Sequence, residues 1–152
     1  MLAAEREQLR KIRQHLIRLL FLREFHEADE ISEQNQLYFN VILPSEGAEC
    51  DFKEKVLEKY DRIVEALPKI DSVLTARMQS WNLRRIGLTE KSILRLGAYE
   101  MMYEKIPGKI VINEAVELAK IYGGDHSYSF INGVLARIIK GLDDNGEQSS
   151  DN

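Results

Sequence analysis

Seven apolar residues, Phe130, Ile131, Val134, Leu135, Ile138, Ile139 and Leu142, recur at offsets of one, four, five and eight near the C-terminus. That spacing turns all of them to one side of a helix and to neither face of a strand. A lone helix with such a stripe is not stable in water, so it needs partner helices to bury it. A second stripe opens the chain. Residues 3–25 hold no Gly or Pro, and Leu9, Ile12, Leu16, Leu19 and Leu20 fall three or four apart. No segment alternates with the period of two that a half-buried strand requires. The pattern predicts an all-α fold of about seven helices.

Turn residues punctuate the rest. Ser32 can cap a second helix reaching Leu43, where Pro44 and Gly47 end it. Asp51 with Glu54 resembles a capping box for a third, Phe52 to Ala66. Pro68 breaks the pattern, and Asp71 starts a shorter helix to Gln79. After the connector of residues 81–88, Thr89 caps a helix from Glu90 to Lys105, closed by Pro107 and Gly108. A sixth helix covers Ile110 to Tyr122 and stops at Gly123 and Gly124. Asp125 or Ser127 caps the last. The breaks divide the chain into two subclusters, the second running from about Asp71 to Leu142.

The 152 residues are enough for one domain with its own core, and 44% of them are apolar. The longest apolar run, Leu19 to Leu22, is four residues, far short of a membrane span of ~18. Glu5, Arg6, Glu7 and Arg10 break up any signal peptide. The single cysteine, Cys50, excludes an intramolecular disulfide and any multi-thiolate metal site. These features predict a cytoplasmic protein. The net charge of −4 comes from the last ten residues, which hold four acids and no base. We expect residues 143–152 to be an acidic disordered tail on an all-α domain of residues 1–142. Residues 1–25 carry six cations, Arg6, Arg10, Lys11, Arg13, Arg18 and Arg23, against three acids. A basic first helix on a neutral body is either an anion-binding surface or a solvated face.

Catalytic constellations are missing. His15, His26 and His126 are far apart in sequence and lack the spacing of a helical metal pair. There is no P-loop, dinucleotide fingerprint or nucleophile elbow. Cys50 sits beside Glu49 and Asp51, which do not favour a thiolate. Glu114 and Glu117 form one anionic helix turn. The sequence predicts no enzyme activity, no cofactor and no metal.

Three motifs of the second half point elsewhere. E-K-x-x-L-R-x-x-x-Y-E stands at Glu90–Glu100, I-N-E-A-V-E-L-A-K at Ile112–Lys120, and S-x-x-F-I-N-G-V-L at Ser127–Leu135. Together they closely resemble the C-terminal half of the NusB family of bacterial transcription antitermination factors. The N-terminal match is looser. Family members open with an arginine-rich segment running into a helix, and Arg10, Lys11, Ile12 and Arg13 stand in the corresponding stretch. Arg18 takes the place of a frequent Gln, and Phe21 that of a frequent Tyr.

The resemblance implies two packed three-helix subdomains and a single-stranded RNA ligand, the boxA element of ribosomal RNA operons. It also implies pairing with NusE, a small-subunit ribosomal protein, and entry into an RNA polymerase antitermination complex. Some family members self-associate, and a homodimer is left open. Arg10, Lys11 and Arg13 would supply phosphate contacts. Arg18 and Phe21 lie on following turns, where a base could stack or where Phe21 simply completes the core stripe. Glu90 and Arg95 match positions near the RNA, as do Ser127, Ser129 and Phe130 at the head of the last helix, Phe130 being equally a core residue. Ser129 replaces a frequent Lys. His126 stands where an acid is frequent, near the NusE contact. Asn113 and Asn132 are expected to be buried scaffold amides, and Gly97, Ala98 and Gly133 to let helices approach closely. A NusB-like assembly module with weakened RNA binding is the alternative. A NusB-like domain also begins some rRNA methyltransferases, and we expect no catalytic domain of that kind here.

Overall fold

The computed structural model describes residues 3–45, 50–78, 83–123 and 127–150, except for the side chains of Ser45, Cys50 and residues 143–150. Helix α1 is Ala3–Arg23 and α2 is Ala28–Leu37. A π turn, Tyr38–Ile42, follows and passes into a single helical turn, α3, Leu43–Ser45. The remaining helices are α4 (Cys50–Arg77), α5 (Leu88–Met102), α6 (Gly108–Tyr122) and α7 (Ser127–Ser150). No strand occurs among the described residues. None of these helices is long and apolar enough to cross a membrane. The chain forms two compact units, residues 1–65 and 66–152, with the division inside α4.

In the first unit, Leu16, Leu19 and Leu20 of α1 are fully buried, and Leu43, Val56 and Ile63 join them in the core. The predicted α1 stripe is therefore the packed one. α2 begins four residues before Ser32, with Glu27 at its N-cap and Asp29 and Glu30 in its first turn. Those carboxylates favour the positive end of the helix, so no serine cap is needed. The wider π turn lets consecutive aromatics, Tyr38 and Phe39, both bury at 4% and 5% exposure. Tyr38 then meets α1, its Oη lying 2.6 Å from His15 Nδ1. The Phe52 ring of α4 stands edge-on to the same imidazole, with centroids 5.6 Å apart.

Pro68 does not break the chain here. It lies inside α4, exposed, and the helix continues past it to Arg77. A proline inside a helix forfeits one hydrogen bond and crowds the preceding turn, at a cost of about 3 kcal/mol. Burial of Tyr60, Ile63 and Leu67 before it, and of Ile70 and Leu74 after it, offsets that cost. Asp71 therefore caps nothing; it is a mid-helix residue.

In the second unit α5, α6 and α7 pack on one another. Of the C-terminal stripe, Ile131, Val134, Leu135 and Ile138 are buried, while Phe130 and Ile139 are half-buried and Leu142 is exposed at the edge. The backbone of α7 continues as helix to Ser150, through most of the stretch expected to be a disordered tail. Arg137 Nε donates to the Arg77 carbonyl at 2.7 Å, capping the end of α4. α5 starts at Leu88 with Gly87, not Thr89, at its N-cap, and it ends at Met102. There the Ile106 N–H reaches back to the Glu100 carbonyl at 3.2 Å, and Lys105 takes a left-handed φ of 55°. A side chain there strains a turn that glycine makes freely. Lys105 is exposed. Lys105→Gly is therefore expected to raise stability by about 1 kcal/mol, read as a higher urea midpoint at unchanged slope.

Two glycines expected to serve close approach behave differently. A Cβ on Gly97 would lie 3.2 Å from both Leu135 methyls and 3.4 Å from Val111 Cγ1, so α5 meets α6 and α7 over bare backbone. Among the described residues, a Cβ on Gly133 would meet only Arg137 Nη1, at 3.6 Å. Gly133 is thus an ordinary helical glycine, and close approach is not its role. Thermal melts of the two alanine variants should move in opposite directions. Gly133→Ala is expected to gain up to ~1 kcal/mol of helix propensity. Gly97→Ala is expected to lose about 1 kcal/mol, because overpacking outweighs the same gain.

Candidate nucleic-acid interface

From Gln8 to Arg23 the chain contains no carboxylate. Within that stretch α1 buries Ile12, Arg13, His15, Leu16, Ile17, Leu19 and Leu20. At 3.6 residues per turn, the opposite side is left to Arg10, Lys11, Gln14, Arg18 and Phe21, a strip about 100° wide. Arg10 and Lys11 are exposed, and Gln14, Arg18 and Phe21 are half-buried. Successive cations on one helix face suit a polyanion, and the dry underside holds them on a rigid element.

Arg13 is not on the strip. It is 5% exposed, because Leu16, Ile17 and Leu20 follow it at three, four and seven residues and carry it into the buried arc. That spacing was visible in the sequence and argues against the phosphate contact expected of it. Sequence reasoning also missed Phe25. It lies just past α1 with 58% of its surface exposed, and its ring is tilted 55° against that of Phe21 with centroids 5.0 Å apart. The signal was an i, i+4 aromatic pair ending a basic helix.

The other expected residues belong to the second unit. Arg95 is 6% exposed. Its Nε and Nη2 donate to the two carboxylate oxygens of Asp71 at 2.9 and 2.8 Å. This two-pronged clamp ties α5 to the C-terminal half of α4, so the guanidinium is committed inside the protein. Glu90, half-buried, accepts a hydrogen bond from Ser127 Oγ, which fastens the first turn of α5 to the first residue of α7. Ser129 is exposed on the first turn of α7, while Phe130 is half-buried at the head of the apolar stripe. Tyr128 beside them is 46% exposed. His126 lies outside the described residues. Asn113 and Asn132 are exposed, not buried amides. They face solvent because the buried positions of α6 and α7 fall on Val111, Ala115, Leu118, Ile131, Val134 and Leu135. Among the described residues no three His, Cys, Asp or Glu side chains come together as a metal ion would require.

The NusB family model matches residues 10–140. The transcription antitermination protein NusB of Lachnoclostridium phytofermentans is 43% identical over 131 residues, covering 86% of this chain and 97% of that protein. That of Macrococcus caseolyticus is 39% identical over 128 residues, covering 84% and 93%. Among solved structures, T. maritima NusB superposes with a TM-score of 0.71 at 32% identity, over 86% of this chain and 89% of that one. A crystal structure of the antitermination factors NusB and NusE in complex with dsRNA shares the fold, with a TM-score of 0.70 at 24% identity, over 89% and 98%. The matched region takes in the α1 strip, the Arg95 clamp and the Glu90–Ser127 link, and with that coverage the chain belongs to the NusB family.

Proposed function

We propose that this protein is a cytoplasmic, non-enzymatic transcription antitermination factor. It binds single-stranded boxA-type RNA of ribosomal RNA operons together with NusE and joins an RNA polymerase antitermination complex. The observation that carries this reading is the carboxylate-free strip of α1, where Arg10, Lys11 and Arg18 lead to the aromatic Phe21. Cations take the phosphates and fix the register of the strand, while aromatic and polar groups read unstacked bases. In the second unit, Ser129 and the Glu90–Ser127 link offer polar contacts, with Phe130 beside them. Arg13 and Arg95 act beneath the surface as positioning residues. The antitermination proteins among the relatives support the role, and the solved NusB–NusE–dsRNA complex supports RNA and NusE as partners. His126 is kept as a NusE-facing position.

The test is fluorescence anisotropy with a boxA-type single-stranded RNA and a scrambled control, each with and without NusE, at two salt concentrations. Preferential boxA binding that NusE strengthens and salt weakens is the expected result. A specific observation favours a second reading, an assembly module with weakened RNA binding: two of the five expected cations, Arg13 and Arg95, are buried. Equal or absent binding to both RNAs, with NusE still captured, would select that reading. Light scattering on the same samples reports whether a homodimer forms.

A further inference from the structure

We propose that Phe21 and Phe25 form a two-ring platform on which one unpaired nucleobase of the bound single-stranded RNA stacks, with Phe25 as its open outer surface. The inference rests on the RNA-binding reading above and adds to it a side chain and a contact. Phe21 is half-buried at the end of the α1 strip and anchors the pair. Phe25 is held beside it by a tight turn, in which the N–H groups of Glu24 and Phe25 reach the carbonyls of Phe21 and Leu22, both at 3.1 Å. The backbone is thus fixed by hydrogen bonds and the ring rests against Phe21, yet 58% of the residue faces water. A single exposed side chain needs no explanation, but an exposed ring packed on a second ring beside a row of cations is a contact surface of the kind bases stack on. The two rings already touch, with centroids 5.0 Å apart and a tilt of 55°. A base therefore stacks on the open face of Phe25 and does not insert between the rings.

The strip decides what kind of molecule arrives. Arg10, Lys11 and Arg18 precede the pair with no carboxylate from Gln8 to Arg23, and the one acid between the two rings in sequence, Glu24, is half-buried. An apolar protein side chain would gain nothing from those cations, whereas a nucleic acid strand brings phosphates with its bases. Arg18 lies three residues before Phe21, about 4.5 Å along the helix axis at ~1.5 Å per residue. The phosphate and the base of one nucleotide can therefore be held by Arg18 and the aromatic pair together. Stacking on an aromatic face tolerates any base, so the platform contributes affinity and register more than base identity.

The experiment uses the full chain with a boxA-type single-stranded oligoribonucleotide carrying 2-aminopurine at one position at a time. Wild type is expected to quench 2-aminopurine fluorescence at one position through stacking. Phe25→Leu keeps apolar bulk but removes the ring; it should abolish that quench and weaken binding about tenfold. The salt dependence should stay as in wild type, because no phosphate contact is lost. Phe25→Tyr should restore both quench and affinity. The ring is exposed, so both variants should melt like wild type. If Phe25→Leu leaves affinity and quench unchanged while reversal of Arg10 and Lys11 abolishes binding, the platform is wrong and the RNA reading stands. If wild type binds no RNA, both fall. Loss of NusE capture in Phe25→Leu, with RNA binding intact, would overturn the platform in favour of a protein contact.

Discussion

A chain carrying Arg10→Glu and Lys11→Glu is expected to lose RNA affinity by on the order of 100-fold while keeping its fold. Both side chains are exposed on α1, and the buried arc of that helix is untouched by the change. The double reversal alters four units of charge. Beside phosphates in salt-screened water each unit is worth about 0.5–1 kcal/mol, so the sum is about 2–4 kcal/mol. Salt dependence is the sharper readout. Each phosphate contact to a single strand contributes about 0.7 to the slope of log affinity against log salt, so two lost contacts flatten it by about 1.4. The loss should be nearly the same for boxA and scrambled RNA, since phosphate contacts carry no sequence information. Arg13 is left out on purpose. At 5% exposure its reversal would bury an acid in the core of the first unit, and lost binding would then report unfolding. Unchanged affinity and slope in the double variant would remove α1 from the interface.

What could be read from the sequence was whatever local periodicity dictates. The α1 and α7 stripes are the buried faces because apolar spacing at three and four residues leaves a helix no other face to bury. The errors arise where tertiary contacts outweigh a local rule. Pro68 was a breaker by propensity, but five buried side chains spread over both halves of α4 hold the helix through it. Asn113 and Asn132 sit in motifs beside apolar residues, yet at ~100° per residue both fall outside the buried arcs of α6 and α7 and face solvent. For the site, exposure had to be known before cations could be sorted. Arg10 and Arg13 look equivalent in the chain, and a rotation of about 60° on the helix separates a surface cation from a buried one. No local pattern announces that Arg95 meets Asp71, because 24 residues separate the pair. The Phe21–Phe25 pair, in contrast, was open to view at i, i+4.

The Arg95–Asp71 clamp yields the second large effect, on stability. Asp71→Ala is expected to cost about 3 kcal/mol, the low end for breaking a buried pair, because it strips a largely buried guanidinium of its carboxylate. The side chains are 8% exposed for Arg95 and 29% for Asp71. Asymmetry follows from those numbers. Removing the cation leaves a carboxylate that water can still reach, so Arg95→Met, which also keeps apolar volume, should cost only about 1 kcal/mol. Arg95→Lys should not restore wild-type stability, since an ammonium cannot make the two parallel hydrogen bonds. The double variant Asp71→Leu with Arg95→Met should recover most of the loss, as two apolar groups need no desolvation repaid. In a chain of this size 3 kcal/mol corresponds to a melting temperature lower by roughly 6–12 °C, so thermal melts resolve the series. The same variants decide what Arg95 is for. A guanidinium that only braces α5 against α4 predicts that Arg95→Met, measured where it is fully folded, binds RNA like wild type. If Arg95→Met instead melts unchanged but binds RNA more weakly with a flatter salt dependence, Arg95 leaves Asp71 for a phosphate. The clamp would then be the resting state of an RNA contact.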